Sequence, residues 1–176
     1  MTVAGPLPQR RPRLVVMGVA GSGKTTVGRA LATALDLGFV DADDLHPAAN
    51  VALMAAGLPL DEADRAPWLV AVTEVLADDD GLVLACSALR RSHRDVLRGA
   101  GPVEFVFLDV DLAEAVARAA NRPDHFMGPA MIPSQFATLE RPDATEDDVM
   151  TVDASRPEPE VVAAIVQLVS RRRGWP

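Results

Sequence analysis

Short apolar segments recur along the chain, and longer segments with a helical pattern separate them. The apolar segments are RLVVMG (13–18), FVDA (39–42), LVLACS (82–87), VEFVFLDV (103–110) and VMTVD (149–153). The helical patterns lie near residues 24–35, 46–56, 66–78, 91–98, 112–121 and 158–173. Apolar strands that alternate with helices predict an α/β fold, in which a parallel sheet carries helices on both faces.

Local signals indicate where several of these helices begin and end. Pro67 and Pro157 suit a first helical turn, where a missing backbone N–H leaves no hydrogen bond unmade. Asp111 precedes a helix as a cap, with Glu114 three residues later, and Gly174 ends the last helix.

The chain predicts one domain with a tail and an insert. Residues 1–12 have the composition of a flexible N-terminal tail, and residues 13–176 form the single domain, because no linker interrupts them. Residues 121–140 contain three prolines and a glycine, which is typical of a mobile lid insert.

Composition narrows the class of protein. The chain has 176 residues, 49% of them hydrophobic and 24% charged, which is typical of a globular protein and not of a disordered one. Its net charge of −8 argues against nucleic acid as a partner, and no apolar run reaches membrane-spanning length. The single cysteine, Cys86, lies in an apolar strand, so we expect a packed, inert thiol and a cytoplasmic location.

A glycine-rich segment between the first strand and the first helix predicts nucleotide binding. GVAGSGKT, Gly18 to Thr25, matches G-x-x-x-x-G-K-[ST] in the strand–turn–helix context that this motif requires. The glycines allow backbone N–H groups to surround phosphate oxygens at the positive end of the following helix. Lys24 can reach the outer phosphates, and the Thr25 hydroxyl can bind Mg²⁺.

Two carboxylates follow the second strand, at the sheet edge where ligands bind in parallel α/β proteins. Asp41 and Asp43 lie one residue apart there. One of them could hold Mg²⁺, and the other could accept the proton of an attacking hydroxyl. A solvated loop with a helix cap is the alternative, and the neighbouring P-loop favours the functional interpretation.

Arginines recur at helical spacing in two places. Arg90, Arg94 and Arg98 share one helix face, and this like-charge row favours a nearby anion. Arg90 and Arg94 begin close to the crevice and could grip a substrate carboxylate, whereas a solvated face is the better interpretation for Arg98. Arg118 and Arg122 could close over a triphosphate from the lid, or simply complement the end of their helix.

Four longer stretches carry a resemblance to a known family. LVVMGVAGSGKTTVG, DADDLHPAANVALMAAGLPLDEADRAPWL, CSALRRSHRDVLR and HFMGPAMIPSQFATLERP follow one another as in the gluconokinases of the P-loop kinase superfamily. The resemblance covers residues 13 to about 170, and D-x-D-x-L-H-P-x-x-N, P-L-x-x-x-D-R-x-P-W and C-S-A-L are its most specific parts. It implies a P-loop kinase fold with strand order 2-3-1-4-5, and often a homodimer.

The resemblance also implies a reaction and a set of site residues. Gluconokinases use Mg²⁺ and ATP to phosphorylate the terminal hydroxyl of D-gluconate, giving 6-phosphogluconate. By matching position, the residues implied to bind the nucleotide are Gly18, Gly21, Ser22, Gly23, Lys24, Thr25, Thr26, Arg118, Arg156 and Pro157. The residues implied to bind the acceptor are Asp43, His46, Arg65, Arg90, Arg94 and His125, with Thr25 and Asp41 near the metal. Lys24, Asp43 as base and Arg122 are implied to serve catalysis.

Three other functions are weighed against this one. A GTPase switch requires an N-K-x-D guanine motif, which the sequence lacks. Another small-molecule kinase of the same fold, acting on shikimate, adenylylsulfate or a different sugar acid, would share the P-loop but is not expected to combine HPxxN with PLxxxDRxPW. An ATP-binding regulator without catalysis would not require Asp43 as a base.

Overall fold

Five parallel strands form the centre of the protein. The computed structural model describes residues 11–121 and 131–174. The strands are β1 (Arg13–Met17), β2 (Gly38–Asp41), β3 (Leu82–Ala85), β4 (Glu104–Asp109) and β5 (Val149–Asp153). They lie in the order β2-β3-β1-β4-β5, and every neighbouring pair is parallel. The predicted strand order is therefore confirmed.

Helices cover both faces of this sheet. They are α1 (Lys24–Leu35), α2 (Ala48–Ala55), α3 (Glu62–Asp78), α4 (Arg91–Arg98), α5 (Leu112–Ala120), α6 (Ile132–Thr138) and α7 (Glu158–Arg173), with a 3₁₀ turn at Ala42–Leu45. Alternate residues of β1 point to opposite faces, so Leu14 and Val16 join one apolar cluster while Val15 and Met17 join the other. The first cluster includes α1, α5, α6 and α7, and the second includes α3 and α4.

The prediction for the start of α3 was wrong. Pro67 lies inside the helix instead of in its first turn, because a capping box starts the helix at Glu62. The Asp61 carboxylate accepts from the Asp64 N–H at 2.8 Å, and the Asp64 carboxylate accepts from the Asp61 N–H at 3.0 Å. The earlier start matters for function, since it places Glu62 and Arg65 on an ordered helix.

Other local predictions are confirmed. The Asp111 side chain caps α5 by accepting from the Glu114 N–H at 2.8 Å, and Gly174 ends α7 in a left-handed conformation with φ 60°. Cys86 is fully buried, and this burial raises the pKa of its thiol to about 12. Among the described helices, none combines the length and apolar character that a membrane crossing needs.

The predicted lid contains a helix. α6 occupies Ile132–Thr138, and its proline, Pro133, lies in the first turn, where proline is compatible with a helix. Ile132 is fully buried in the core cluster of α1 and α7. The second half of the 121–140 segment is therefore part of the packed fold, and residues 122–130 lie outside the described part.

Candidate active site

The P-loop is shaped by glycines that no other residue could replace easily. Gly21 and Gly23 have φ values of 80° and 94°, in the left-handed region that disfavours side chains. A Cβ on Gly21 would also meet the Ala115 carbonyl oxygen at 2.3 Å, because the loop passes close to the backbone of α5. Ser22 is buried, so its side chain contributes nothing to the exposed surface of the loop.

The first turn of α1 lies against the end of β2. The Thr25 hydroxyl donates to the Asp41 carboxylate at 2.7 Å, and the second oxygen of Asp41 accepts from the Asp43 N–H at 3.1 Å. Lys24 Nζ donates to the Val19 carbonyl at 2.9 Å, which holds the ammonium group over the loop. The structure thus brings together the predicted phosphate and metal residues, Lys24, Thr25 and Asp41.

These residues fit Mg²⁺ that arrives with a nucleotide. Within residues 11–121 and 131–174, no group of three or more His, Cys, Asp or Glu side chains could hold a metal ion alone. Mg²⁺ in phosphotransfer enzymes is usually bound by one or two protein oxygens, with phosphate and water completing the coordination. The paired oxygens of Thr25 and Asp41 match that requirement.

A cavity of about 570 Å³ lies beside the P-loop and is lined by six of the ten residues predicted for the nucleotide. Its lining includes Gly21, Gly23, Thr26, Arg118, Asn121, Ser155, Arg156, Pro157 and Glu158. Arg118 is fixed there by an ion pair with Glu114 and by donation to the Ala154 carbonyl at 2.7 Å. Arg156 pairs with Glu160 at 2.8 Å. We refer to this space as the donor cavity.

A second cavity, of about 300 Å³, collects most of the residues predicted for the acceptor. Its polar lining includes Asp43, His46, Asp61, Glu62, Arg65, Ser87, Arg90, His93, Ser134, Gln135 and Thr138. Met54, Leu60, Trp68 and Leu89 contribute apolar surface. This acceptor cavity is therefore rich in hydrogen-bonding groups, carries both signs of charge, and suits a small polar molecule better than an apolar one.

His46 is held in the acceptor cavity by an aromatic stack. Its ring lies 4.4 Å from the centroid of Trp68 with an interplanar angle of 10°, and the Trp68 indole N–H donates to the Ala42 carbonyl at 2.6 Å. Asn50 approaches His46 Nδ1 at 3.4 Å and donates to the Asp64 carbonyl at 2.8 Å. Desolvation lowers the pKa of His46 to about 4, helped by the charge of Arg65. The ring is therefore neutral at pH 7.

Glu62 is the centre of a charged cluster at the wall of this cavity. Its Oε1 lies 3.1 Å from Arg65 and 3.4 Å from Arg90, and its Oε2 lies 3.1 Å from His93 Nε2. Burial lowers the pKa of His93, and the contact with Glu62 opposes this effect. Two of the predicted acceptor residues, Arg65 and Arg90, therefore converge on one point.

The prediction for Arg94 was wrong. Its side chain is 1% exposed and forms a bidentate ion pair with Glu146, with N–O distances of 2.7 and 2.5 Å. It also donates to the carbonyls of Ala88 and Glu140, at 3.3 and 3.2 Å. Arg94 thus supports the loop that leads to Arg90 instead of meeting the acceptor itself.

Arg98 also differs from the sequence-based expectation. It was expected on a solvated face, but it pairs with Asp148 at 2.7 Å and with Glu146 at 2.8 Å. Acidic residues before β5 therefore supply the anions that this helix face required. The spacing of the arginines indicated that they need a nearby anion. The carboxylates that supply it, Glu146 and Asp148, lie about fifty residues further along the chain.

Two contacts join the acceptor cavity to the P-loop. Gln135 Oε1, on α6, accepts from the Ala20 N–H at 2.7 Å, and the Ser87 carbonyl accepts from the Gly18 N–H at 3.3 Å. Both Gln135 and Ser87 line the acceptor cavity. No role was predicted from the sequence for Gln135, Glu62 or His93. Glu62 lies three residues before Arg65 in the PLDEADRAPW stretch, and its charge was the signal that could have indicated it.

Two predicted residues, Arg122 and His125, fall in the 122–130 segment and lie outside the described residues. Their roles stay predictions.

Similarity to known proteins identifies the family. A family model described as shikimate kinase matches residues 20–170. Gluconokinase from Gluconobacter oxydans (strain 621H) is 48% identical over 158 residues, which cover 86% of this chain and 88% of that protein. The chain belongs to the gluconokinases. The thermosensitive gluconokinase of Escherichia coli (strain K12) is 42% identical, with 79% of this chain and 77% of that protein covered.

A solved gluconokinase has the same fold as this one. The crystal structure from Sinorhizobium meliloti 1021 matches with a TM-score of 0.86 and 40% identity, covering 94% of this chain and 96% of that chain. Shikimate kinase from Acinetobacter baumannii matches with a TM-score of 0.59 and 20% identity, covering 93% and 95% of the two chains. At 20% identity, the match to shikimate kinase shows a shared fold only. The matches at 48% and 40% identity are to gluconokinases.

Proposed function

We propose that this gluconokinase transfers the γ-phosphate of ATP to the C6 hydroxyl of D-gluconate and releases 6-phosphogluconate and ADP. The observation that carries the proposal is the placement of the acceptor cavity directly beside the P-loop, joined to it through Gln135 and Ser87. Phosphoryl transfer requires an acceptor site that lies next to the loop that binds the phosphates.

The donor side binds Mg²⁺–ATP in this proposal. Backbone N–H groups of the P-loop and Lys24 bind the phosphates, and the donor cavity with Arg118, Arg156 and Pro157 accommodates the rest of the nucleotide. Thr25 and Asp41 hold the Mg²⁺ ion. When bound, that ion neutralises negative charge on the transferring phosphate.

Asp43 acts on the acceptor. Two observations support this role: Asp43 follows Asp41, the residue proposed to hold the metal, by two residues, and it lines the acceptor cavity. A carboxylate in this position accepts the C6 hydroxyl hydrogen and orients the oxygen toward the γ-phosphate. The remaining hydroxyls of gluconate match the polar lining of the cavity, which includes His46 and Ser87.

In this proposal Arg65 and Arg90 bind the gluconate carboxylate. Arg65 and Arg90 point to the same region, within 3.4 Å of a common oxygen of Glu62. Guanidinium groups form strong, directional hydrogen bonds with carboxylates. An acceptor that combines a terminal hydroxyl with a single anionic group therefore matches the lining of the cavity, which includes Asp43 and the two arginines, better than a nucleotide or a neutral sugar does. A cytoplasmic location and a homodimer complete the proposal, and sedimentation velocity tests the latter.

An acceptor panel tests the function. Purified protein is incubated with Mg²⁺–ATP and, separately, gluconate, shikimate, adenylylsulfate and other aldonates, while ADP release is measured. We expect turnover with gluconate well above every other acceptor, and none in Lys24→Met under the same conditions. Turnover with a different acceptor alone would contradict the assignment of gluconate. ATP binding without turnover on any acceptor would favour an ATP-binding regulator.

A further inference from the structure

Glu62 occupies the position that an anionic ligand of the two cavity arginines would be expected to take. It is the first residue of α3, and the capping box of Asp61 and Asp64 fixes the start of that helix. The Nη1 atoms of Arg65 and Arg90 both lie close to Glu62 Oε1. The arginine cluster therefore contains a built-in carboxylate.

Stability does not explain this cluster well. The Glu62 side chain is 52% exposed and Arg90 is 41% exposed, whereas Arg65 and His93 are more buried, at 23% and 5% exposure. Ion pairs of a carboxylate as exposed as that of Glu62 contribute little to folding, since water and salt screen them. Helix capping does not explain the presence of Glu62 either, because Asp61 and Asp64 already supply the capping hydrogen bonds.

The contact cluster of Arg65, Arg90 and Glu62 has one net positive charge. Asp43 and Asp61 add negative charge elsewhere in the lining. Two guanidinium groups and one carboxylate leave a surplus of a single cation, since His93 is shifted toward its neutral form by burial. A monoanionic acceptor balances that surplus, whereas a dianion would leave one negative charge uncompensated beside Glu62.

We propose that Glu62 is a specificity-determining residue, which restricts the acceptor site to molecules with one negative charge at the arginine end. This proposal rests on the proposed function, in that it places the acceptor carboxylate at Arg65 and Arg90. Glu62 acts by repulsion: it removes the second positive charge that a dianion would need, and leaves enough for a carboxylate.

A series of acceptors with different charge at C1 tests the proposal, and the comparison with a variant of Glu62 separates the effect of charge from that of size. D-Glucitol is neutral there, D-gluconate carries one charge, and D-glucitol 1-phosphate carries nearly two at pH 7.5, while all three keep the C6 hydroxyl. We measure kcat/KM for each acceptor with the wild type and with Glu62→Gln, which keeps the side-chain shape and removes the charge. Glu74→Gln is the matched control, because it removes the same charge from an exposed position of α3.

In Glu62→Gln, we expect the ratio of kcat/KM for glucitol 1-phosphate to kcat/KM for gluconate to rise about tenfold, the effect of relieving one repulsion at a partly exposed site. Glu74→Gln should leave the ratio unchanged. An unchanged ratio in Glu62→Gln would overturn the proposal. So would a loss of gluconate turnover without a gain for the phosphate, since Glu62 would then be a direct hydroxyl acceptor.

Failure of the proposed function is a separate outcome. If the wild type turns over none of the three acceptors, the assignment of gluconate fails. Calorimetric binding of the same three compounds to the wild type and to Glu62→Gln then tests the charge selection directly. If Glu62→Gln binds glucitol 1-phosphate more tightly relative to gluconate than the wild type does, the result supports charge selection by Glu62. If the ratio of the two affinities is the same in both proteins, the result rejects it.

Discussion

Replacing Glu146 by glutamine removes one charge from the ion pair that supports the acceptor loop. Glu146 is 2% exposed and accepts two hydrogen bonds from Arg94, which is 1% exposed. Arg98 adds a third contact, at 2.8 Å. The amide of glutamine has almost the shape of the carboxylate, so the change acts on charge and not on packing. Arg94 cannot lose its own proton and stays a buried cation.

Two routes give the size of the effect. Breaking a buried ion pair by removing one partner destabilises a protein by about 3–5 kcal/mol. Independently, the hydrogen bonds from Arg94 lower the pKa of Glu146 to about 2, against 4.5 in an unfolded chain. That difference corresponds to about 3 kcal/mol in the free energy of unfolding at neutral pH. We therefore expect Glu146→Gln to lose about 3 kcal/mol at pH 7.

The pKa also fixes the pH dependence. Because the folded protein lowers the pKa of Glu146, its contribution is complete above pH 4.5 and is lost as the pH falls toward 2. The stability difference between wild type and Glu146→Gln should shrink by about half at pH 3. Urea unfolding at pH 7 and pH 3 measures both values. The exposed Glu74→Gln change serves as a control for net charge.

A Glu146→Gln protein within about 1 kcal/mol of the wild type at pH 7 would refute this reasoning, because the pair would then behave like an exposed one. An undiminished difference at pH 3 would refute it too, since the effect would then not come from the ionised carboxylate.

Three further predictions concern the reaction. Asp43→Asn should keep ATP binding while kcat falls by about 10²–10⁴-fold, as for loss of a general base, and near-normal turnover in steady-state assays would remove Asp43 from that role. Arg65→Lys should raise the KM for gluconate by about tenfold with little change in the KM for ATP, because lysine loses the planar contact with a carboxylate. Gln135→Ala removes the acceptor of the Ala20 N–H; we expect kcat to fall by about tenfold with melting temperature nearly unchanged, and an unaltered kcat would limit Gln135 to a packing role.

The fold could be predicted from the sequence because its signals are local. Strand patterns such as LVLA are continuous apolar runs, and the P-loop glycines are required by close backbone approach at Gly21. The start of α3 was missed because Asp61 and Asp64 cap it with two aspartates, and Pro67 offered a competing helix start. Local signals of similar strength can conflict, and the hydrogen bonds of the folded chain decide between them.

The site was predicted in part for a related reason. Thr25 and Asp41 were predicted near the metal, and they contact each other in the structure. They are only 16 residues apart, and Thr25 follows β1 while Asp41 ends β2, two strands that the sequence pattern identifies. The role of Arg94 depends on Glu146, which is distant in sequence, so spacing alone assigned it to the wrong partner. Glu62 belongs to no recognised motif. Its contact with both Arg65 and Arg90 becomes visible only in the folded structure.

The most direct test of the central claim is the identity of the product. Wild-type protein is incubated with Mg²⁺–ATP and D-gluconate, and the product is analysed by mass spectrometry and by ³¹P–¹H correlation NMR. We expect one added phosphate, coupled to the C6 methylene protons, in equal amount to the ADP formed. Phosphate on a different carbon, or ADP without phosphorylated gluconate, would contradict the placement of the acceptor between Asp43 and the two arginines.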